Sequence, residues 1–388
     1  MLSDTQKSII TATVPVLETG GVALTTHFYS KLLSRYPQVA PLFNQANQAS
    51  GAQPRALANG VLMYAKHIDK LDGLGPLVSQ IINKHVSLQI LPEHYPLVGE
   101  CLLDAIKDVL GEAATPDIIE AWGAAYGQLA EILIGAEEQI YQRNAEADGG
   151  WRGARAFKLV GKVVESTEIT SLYFAPVDGA PILVAKAGQF IGLRVFIEDI
   201  EHRRNYSLSA LAKQGEYRIS VKRERDGKVS NFLHDRLAVG DSLELFAPAG
   251  DFTLAASDKP LLLISGGVGI TAMLAMLEAA LPSGRSVHFV HCARNRAVQG
   301  FRDHVEALAA QHPQLQRFYC YDEGEGDDAV GRLDAQRLAQ WLPECRDVDA
   351  YFLGPKGFMA AVRRGLIGAG VPAAQCRYEF FGPASALE

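Results

Sequence analysis

Asp148-Gly149-Gly150-Trp151-Arg152-Gly153 is the stretch on which the fold turns, because the hydrophobic period differs on its two sides. Its three glycines loosen the backbone, which marks a linker between domains. Upstream, from Ser3 to about Ala147, apolar residues recur every three or four positions without sustained alternation, the period of packed helices. Thr115-Pro116-Asp117 supplies an N-cap, a first-turn proline and an acid matched to the helix dipole, and Gly111 sits where the preceding helix stops. The last helix of this part is therefore expected from about Pro116 to Asn144. Downstream, between 155 and 258, Tyr217, Ile219 and Val221 alternate with charged or polar neighbours, and turns recur at Asp178-Gly179, Asp226-Gly227 and Ala249-Gly250. A small antiparallel barrel is predicted there. After Lys259, the buried strand Leu261-Leu262-Leu263-Ile264 runs into glycines and a helix, and Val287 to His291 starts a second strand–helix unit, which predicts a parallel sheet. The expected order is an all-α domain over 1–147, a linker over 148–154, an antiparallel β-barrel over 155–258 and an α/β domain over 259–388.

A chain of 388 residues exceeds one ordinary domain, and its length is consistent with three compact units. With 48% hydrophobic and 21% charged residues, and no apolar run near the ~18 residues that cross a bilayer, it is not expected to be a membrane protein. Met1-Leu2-Ser3-Asp4-Thr5 has neither the basic start nor the apolar stretch of a secretory signal, so a cytoplasmic location is expected. Five cysteines, at 101, 292, 320, 345 and 376, are scattered and form no Cys-x-x-Cys pair. They argue against a disulfide framework or a zinc site and read as reduced, mostly structural thiols. A net charge of −7 without a dense basic run points to small-molecule partners rather than nucleic acid.

In the helical third, the helix before Pro92 puts Val78, Ile81, Ile82 and His85 on one face. A histidine so placed is more often a satisfied core residue, but it also suits the axial nitrogen that a haem iron needs. Tyr95, Gly99, Leu102 and Ile106 stripe the next helix, and Tyr126, Ala130, Leu133 and Glu137 the last. A phenol and a carboxylate facing a core require specific partners; the alternative for Glu137 is a helix-end acid reaching water.

Phe28-Tyr29, Pro41-Leu42-Phe43-Asn44, Gln53, Leu57, Lys84-His85, Tyr95 and Trp122-Gly123 through Tyr126-Gly127 resemble the globin of bacterial flavohaemoglobins over about residues 1 to 147. The resemblance implies haem b with His85 as the proximal ligand, and with Tyr95 and Glu137 bonded in relay to its far ring nitrogen, which makes the imidazole more anionic. On the opposite haem face it implies Tyr29, Gln53 and Leu57, with the Tyr29 hydroxyl the group that meets bound oxygen and Phe43 packed on the porphyrin.

Arg204-Asn205-Tyr206-Ser207 resembles the flavin motif of ferredoxin-reductase-like enzymes, in which the tyrosine packs on the isoalloxazine and the arginine neutralises pyrophosphate. Gly188-Gln189-Phe190 upstream, Val221-Lys222-Arg223 and Gly227-Lys228-Val229-Ser230-Asn231 downstream, and Pro248-Ala249-Gly250 follow in that family's order. The resemblance implies FAD held by Phe190, Arg204 to Ser207, Val229 and Ser230. Ser265-Gly266-Gly267-Val268-Gly269-Ile270-Thr271 follows a strand and opens a helix, so Gly267, Val268, Gly269, Ile270, Thr271 and Ala272 are candidates for a dinucleotide pyrophosphate. Tyr378-Glu379-Phe380-Phe381-Gly382-Pro383 completes the likeness, which assigns Phe380, Phe381, Gly382 and Pro383 to the flavin and has Phe381 yield to nicotinamide; a plain hydrophobic plug is the other reading. Two positions depart from the family: Leu353-Gly354-Pro355 replaces Cys-Gly-Pro, and Ala272 replaces the proline after the loop threonine. Arg294 and Arg296 could meet the 2′-phosphate of NADPH or be solvated charges, and NADH is favoured.

Flavin solves an electron-counting problem, since nicotinamide gives a two-electron hydride and haem iron takes single electrons. The resemblance implies nitric oxide dioxygenation, with nitric oxide, dioxygen and NAD(P)H as partners, in a monomer. Lys84 is expected to pair with Glu379 near the proximal helix. Two other classes stay open, an oxygen carrier or sensor whose reductase keeps the iron ferrous, and a general electron donor.

Overall fold

The computed structural model describes residues 2–212, 215–324, 329–383 and 387, with the side chain of residue 72 excepted. The chain forms two compact units, one built on Met1–Glu146 and the other on Ala147–Ile197 with Asn205–Phe381.

The first unit is helical: α1 (Asp4–Ala12), α2 (Val14–Arg35), α3 (Gln45–Ala49), α4 (Ala52–Lys66), α5 (Gly75–Leu88), α6 (His94–Leu110) and α7 (Pro116–Glu146). The Ser3 hydroxyl accepts from the Gln6 amide while the Gln6 side chain accepts from the Ser3 amide, a reciprocal cap that starts α1. Gly111 ends α6 at a positive φ of 55°, and the Thr115 hydroxyl accepts from the Ile118 amide at 3.4 Å as α7 begins. Phe28, Leu32, Ala105, Ile106, Ala121 and Trp122 pack a common core. Among the described residues no single helix is long and apolar enough to cross a membrane.

The second unit carries two sheets. β1 (Arg155–Val164), β2 (Ile169–Pro176), β3 (Phe190–Ile197), β4 (Ile200–Ser207), β5 (Tyr217–Lys222) and, after α8 (Lys228–Asp235), β6 (Ser242–Leu245) form a six-stranded sheet in the order β4-β3-β6-β1-β2-β5. Its named pairings are antiparallel, and an antiparallel bridge from Leu208, just past β4, to Ile219 in β5 links the two edges, as a barrel requires. Trp151, expected in the linker, lies instead in the barrel core. Its ring sits 5.5 Å from that of Phe157, and its indole N–H donates to the Leu245 carbonyl at 3.3 Å. Gly149 serves close packing, since a Cβ on it would fall 2.5 Å from the Ile182 backbone.

The second sheet is parallel and six-stranded, in the order β10-β9-β8-β7-β11-β12. Its elements are β7 (Leu261–Gly266), α9 (Ile270–Ala280), β8 (Val287–Ala293), α10 (Arg302–Gln311), β9 (Leu315–Tyr321), β10 (Ala329–Val330), α11 (Ala335–Trp341), β11 (Asp349–Leu353), α12 (Lys356–Gly368) and β12 (Cys376–Tyr378). β7 and β11 are buried throughout, which explains their unbroken apolar runs. Chain order reverses between β7 and β11, the place where open α/β sheets bind ligands beyond their carboxyl ends.

Candidate functional site

Three helices of the first unit converge on one polar cluster. His85 on α5 lies with Nδ1 2.7 Å from Oε1 of Glu137 on α7, and the Tyr95 hydroxyl on α6 donates to the same oxygen at 2.6 Å. Nδ1 is also 3.1 Å from the Tyr95 hydroxyl oxygen. Glu137 is 2% exposed, so the alternative of an acid reaching water is excluded by its burial. A buried carboxylate is tolerable only with such donors, and accepting from His85 places the imidazole proton on Nδ1. Nε2 is then left with its lone pair, the donor a metal takes. Burial, then the Glu137 carboxylate, pushes the Tyr95 phenol well above its usual range, so it stays a proton donor.

A glycine holds this cluster in shape. The Tyr126 hydroxyl donates to the Tyr95 carbonyl at 2.6 Å, and a Cβ on Gly99 would lie 2.5 Å from the Tyr126 ring. Gly99 therefore lets the Tyr126 ring lie against α6 and tie down the turn that carries Tyr95. Its place in the helical stripe was visible beforehand, but its steric role was not.

On α2, Tyr29 is 6% exposed, the Gln53 amide donates to its hydroxyl at 3.4 Å, and the Phe43 ring meets it edge-on at 5.5 Å. Burial pushes the Tyr29 phenol up to about 12, so it too remains a donor. The Thr25 hydroxyl, donating to the Pro54 carbonyl at 2.8 Å, ties α2 to the helix that carries Gln53 and Leu57. Phe43, Leu57, Ile81 and Ile82 are half-buried and offer apolar walls to a flat, largely apolar ring, so these residues fit a haem with His85 as its axial nitrogen. Lys84, half-buried, precedes His85 on α5.

In the barrel, Arg204, Asn205, Tyr206 and Ser207 close β4, with Tyr206 half-buried and Ser207 buried. Phe190 opens β3 and pairs with Ala249 through backbone bonds of 3.0 and 2.9 Å. Gly188 and Gly250 hold positive φ of 102° and 111°, and a Cβ on Gly250 would press to 2.9 Å on the Phe190 ring. Val229 and Ser230 are buried in the first turn of α8, which has no side-chain cap, so its amides remain donors for a phosphate. Arg223 is held by Asp235 at 2.6 Å. Phe380 packs edge-on against Tyr378 at 5.8 Å, whereas Phe381 is 50% exposed. Phe381 is thus no plug, and an open aromatic face fits a flavin ring. Gly382 and Pro383 follow it half-buried, and Glu379 is 7% exposed.

At the end of β7, Gly267 takes φ +55° with open space where a Cβ would stand, while a Cβ on Gly269 would fall 2.2 Å from the Leu353 carbonyl. The two glycines act differently: Gly267 leaves room for a ligand, and Gly269 lets the loop press on β11. Val268 lies between them, and the buried Thr271 hydroxyl donates to the Val268 carbonyl at 3.0 Å to fix the loop. Ile270 and Ala272 are fully buried in the start of α9, again without a side-chain cap, so this loop fits a dinucleotide pyrophosphate. Gly269→Ala is expected to cost about 3 kcal/mol by overpacking and to raise the KM for reduced nicotinamide, which a melting curve and steady-state rates would check.

Family models match in the same order: globin over 26–133, oxidoreductase FAD-binding domain over 156–254 and oxidoreductase NAD-binding domain over 263–364. A flavohaemoprotein of Pseudomonas putida is 70% identical, and one of Pseudomonas aeruginosa 62% identical, each over the whole of both chains. Among solved structures, the flavohaemoglobin of Malassezia yamatoensis with bound FAD and haem superposes with a TM-score of 0.88 at 30% identity, over 98% of this chain and 100% of that one. The FAD/NAD-binding domain of nitric oxide dioxygenase from Vibrio cholerae covers 61% of this chain and 100% of its own, at 38% identity and a TM-score of 0.56.

Proposed function

Because the chain belongs to the flavohaemoprotein family, we propose that it is a nitric oxide dioxygenase, converting nitric oxide and dioxygen to nitrate with electrons from NAD(P)H. It is an NAD(P)H-dependent flavohaem oxidoreductase whose cofactors are haem, FAD and the nicotinamide dinucleotide. When bound, FAD supplies the change from hydride to single electrons, and haem iron supplies the oxygen site.

The observation that carries the reading is the buried Glu137 carboxylate against His85 Nδ1 at 2.7 Å. A carboxylate there makes Nε2 a stronger donor, which favours oxygen activation over mere carriage. Tyr29, whose hydroxyl accepts from Gln53, is assigned as the protonated hydroxyl that meets dioxygen, with Phe43 and Leu57 as the apolar groups that exclude water. Arg204 to Ser207, Phe190, Val229 and Ser230, with Phe380 to Pro383, hold the flavin; Gly267 to Ala272 hold the dinucleotide. We assign Lys84 and Glu379 to electron delivery as charged groups, so reversing either charge is expected to slow haem reduction. The direct test is NADH oxidation with and without nitric oxide in aerobic buffer: acceleration supports the dioxygenase, and indifference favours an oxygen-binding globin with a recycling reductase. We place the enzyme in the cytoplasm as a monomer.

The preferred coenzyme is NADH. Arg294, one of the two arginines that could meet a 2′-phosphate, is already ion-paired with Glu168, and Glu323 accepts from Asn295 at 3.0 Å beside it. Carboxylates at this edge repel a phosphate dianion. NADH is therefore expected to exceed NADPH in kcat/KM, and Glu168→Gln to narrow the gap by freeing Arg294; equal use of both by the unaltered protein would contradict this.

A further inference from the structure

β8 and β9 run in parallel side by side, and their register sets Cys292 opposite Cys320, each one residue before the end of its strand. Both side chains lie on the face that packs against Leu338, Trp341 and Met359. Neighbouring strands run about 4.8 Å apart, within the Cα separation of about 4.4–6.8 Å that a disulfide spans. Cys292 is half-buried and Cys320 is 1% exposed. The Cys320 sulfur also lies 3.0 Å from the Gly331 carbonyl. Nothing in the haem, flavin or dinucleotide chemistry calls for two thiols here.

We infer that Cys292 and Cys320 are a dithiol modification site, oxidised by a peroxide to a disulfide that joins the carboxyl ends of β8 and β9. The adjoining Cys292 thiol, with Arg337 close by, lowers the Cys320 thiol, and the adjoining Cys320 together with burial raises that of Cys292. Cys320 is accordingly the nucleophile, reached from the half-buried Cys292 side. Its thiolate attacks a peroxide oxygen: an S–O bond forms, the O–O bond breaks, and the departing hydroxide takes up the proton lost from the thiol to become water. The Cys292 sulfur then attacks the sulfenic sulfur; the S–S bond forms, the S–O bond breaks, and hydroxide leaves as water with the Cys292 proton. Two thiols are oxidised by two electrons, and one hydrogen peroxide is reduced to two waters.

The consequence follows from position. One residue further on the strands end, and Arg294 and Asn295 after β8 and Asp322 and Glu323 after β9 begin the loops where a dinucleotide sits on such a sheet. Drawing the two Cβ atoms to the ~3.8 Å of a disulfide pulls the bases of these loops together.

The test treats the full-length holoprotein with hydrogen peroxide, alkylates it and maps its peptides by mass. A Cys292–Cys320 linked peptide is expected, together with a severalfold rise in the KM for NADH in ferricyanide reduction, both reversed by dithiothreitol. Cys345→Ser, which removes an exposed thiol elsewhere, should respond as the unaltered protein does, while Cys292→Ser should form no link and keep its KM. The proposal is overturned if both thiols remain alkylatable after peroxide in the unaltered protein, or if the KM rises equally in Cys292→Ser.

Discussion

His85→Ala protein should purify without a haem absorption band yet keep its flavin band and reduce ferricyanide with NADH at close to the unaltered rate. The haem half of this result rests on the axial nitrogen: the Nδ1 of His85 is anchored by the buried Glu137 carboxylate, which leaves Nε2 for the iron. The flavin half rests on the chain's division into two compact units, with the barrel and the parallel sheet both in the second. Free imidazole should restore part of the haem band, because the substitution leaves space where the ring stood while Glu137 and Tyr95 remain to orient it. Loss of both haem and ferricyanide reduction would show that the two units do not fold separately.

Glu137→Gln should retain haem but lower turnover with nitric oxide by roughly 10–100-fold, the usual cost of removing a group that orients a metal's ligand. The amide carries no charge, and its oxygen is a weaker acceptor for the His85 proton at 2.7 Å and the Tyr95 hydroxyl at 2.6 Å. The Fe–His stretching frequency should fall in parallel, while ferricyanide reduction, which bypasses the haem, should not change. Glu137→Leu is expected to be worse for stability, because it strands two buried donors at about 1–3 kcal/mol each. If Glu137→Gln left the Fe–His frequency and turnover unaltered, the carboxylate would have no electronic role.

Much of this arrangement was legible in the chain. Three-and-four spacing placed Val78, Ile81, Ile82 and His85 on one face, and the turn signals after Trp151 marked the change to strands. What local pattern does not encode is which distant group completes a contact. Trp151 reads as part of a glycine-rich linker, yet the Leu245 carbonyl and the Phe157 ring draw it into the barrel. Gly99 belongs to a helical stripe by spacing, but only the approach of Tyr126 from another helix explains why it lacks a side chain. Cys292 and Cys320 look scattered until the β8–β9 register aligns them, and Gly269 looks like a phosphate-cradle glycine until Leu353 is found against it. Burial of Glu137 separates its two readings, and exposure of Phe381 separates the open aromatic from the plug.

The proposed reaction has a globin, supplied with single electrons by a flavin reductase, turn nitric oxide into nitrate. Each nitric oxide and dioxygen together need one electron to become nitrate, and each NADH hydride carries two. Counting nitrate formed against NADH consumed, with purified protein in aerobic buffer and NADH in excess over nitric oxide, is the direct measurement. Two nitrates should form per NADH, with NADH consumption that stops when nitric oxide is exhausted; NADH oxidation indifferent to nitric oxide and without nitrate would rule the dioxygenase out.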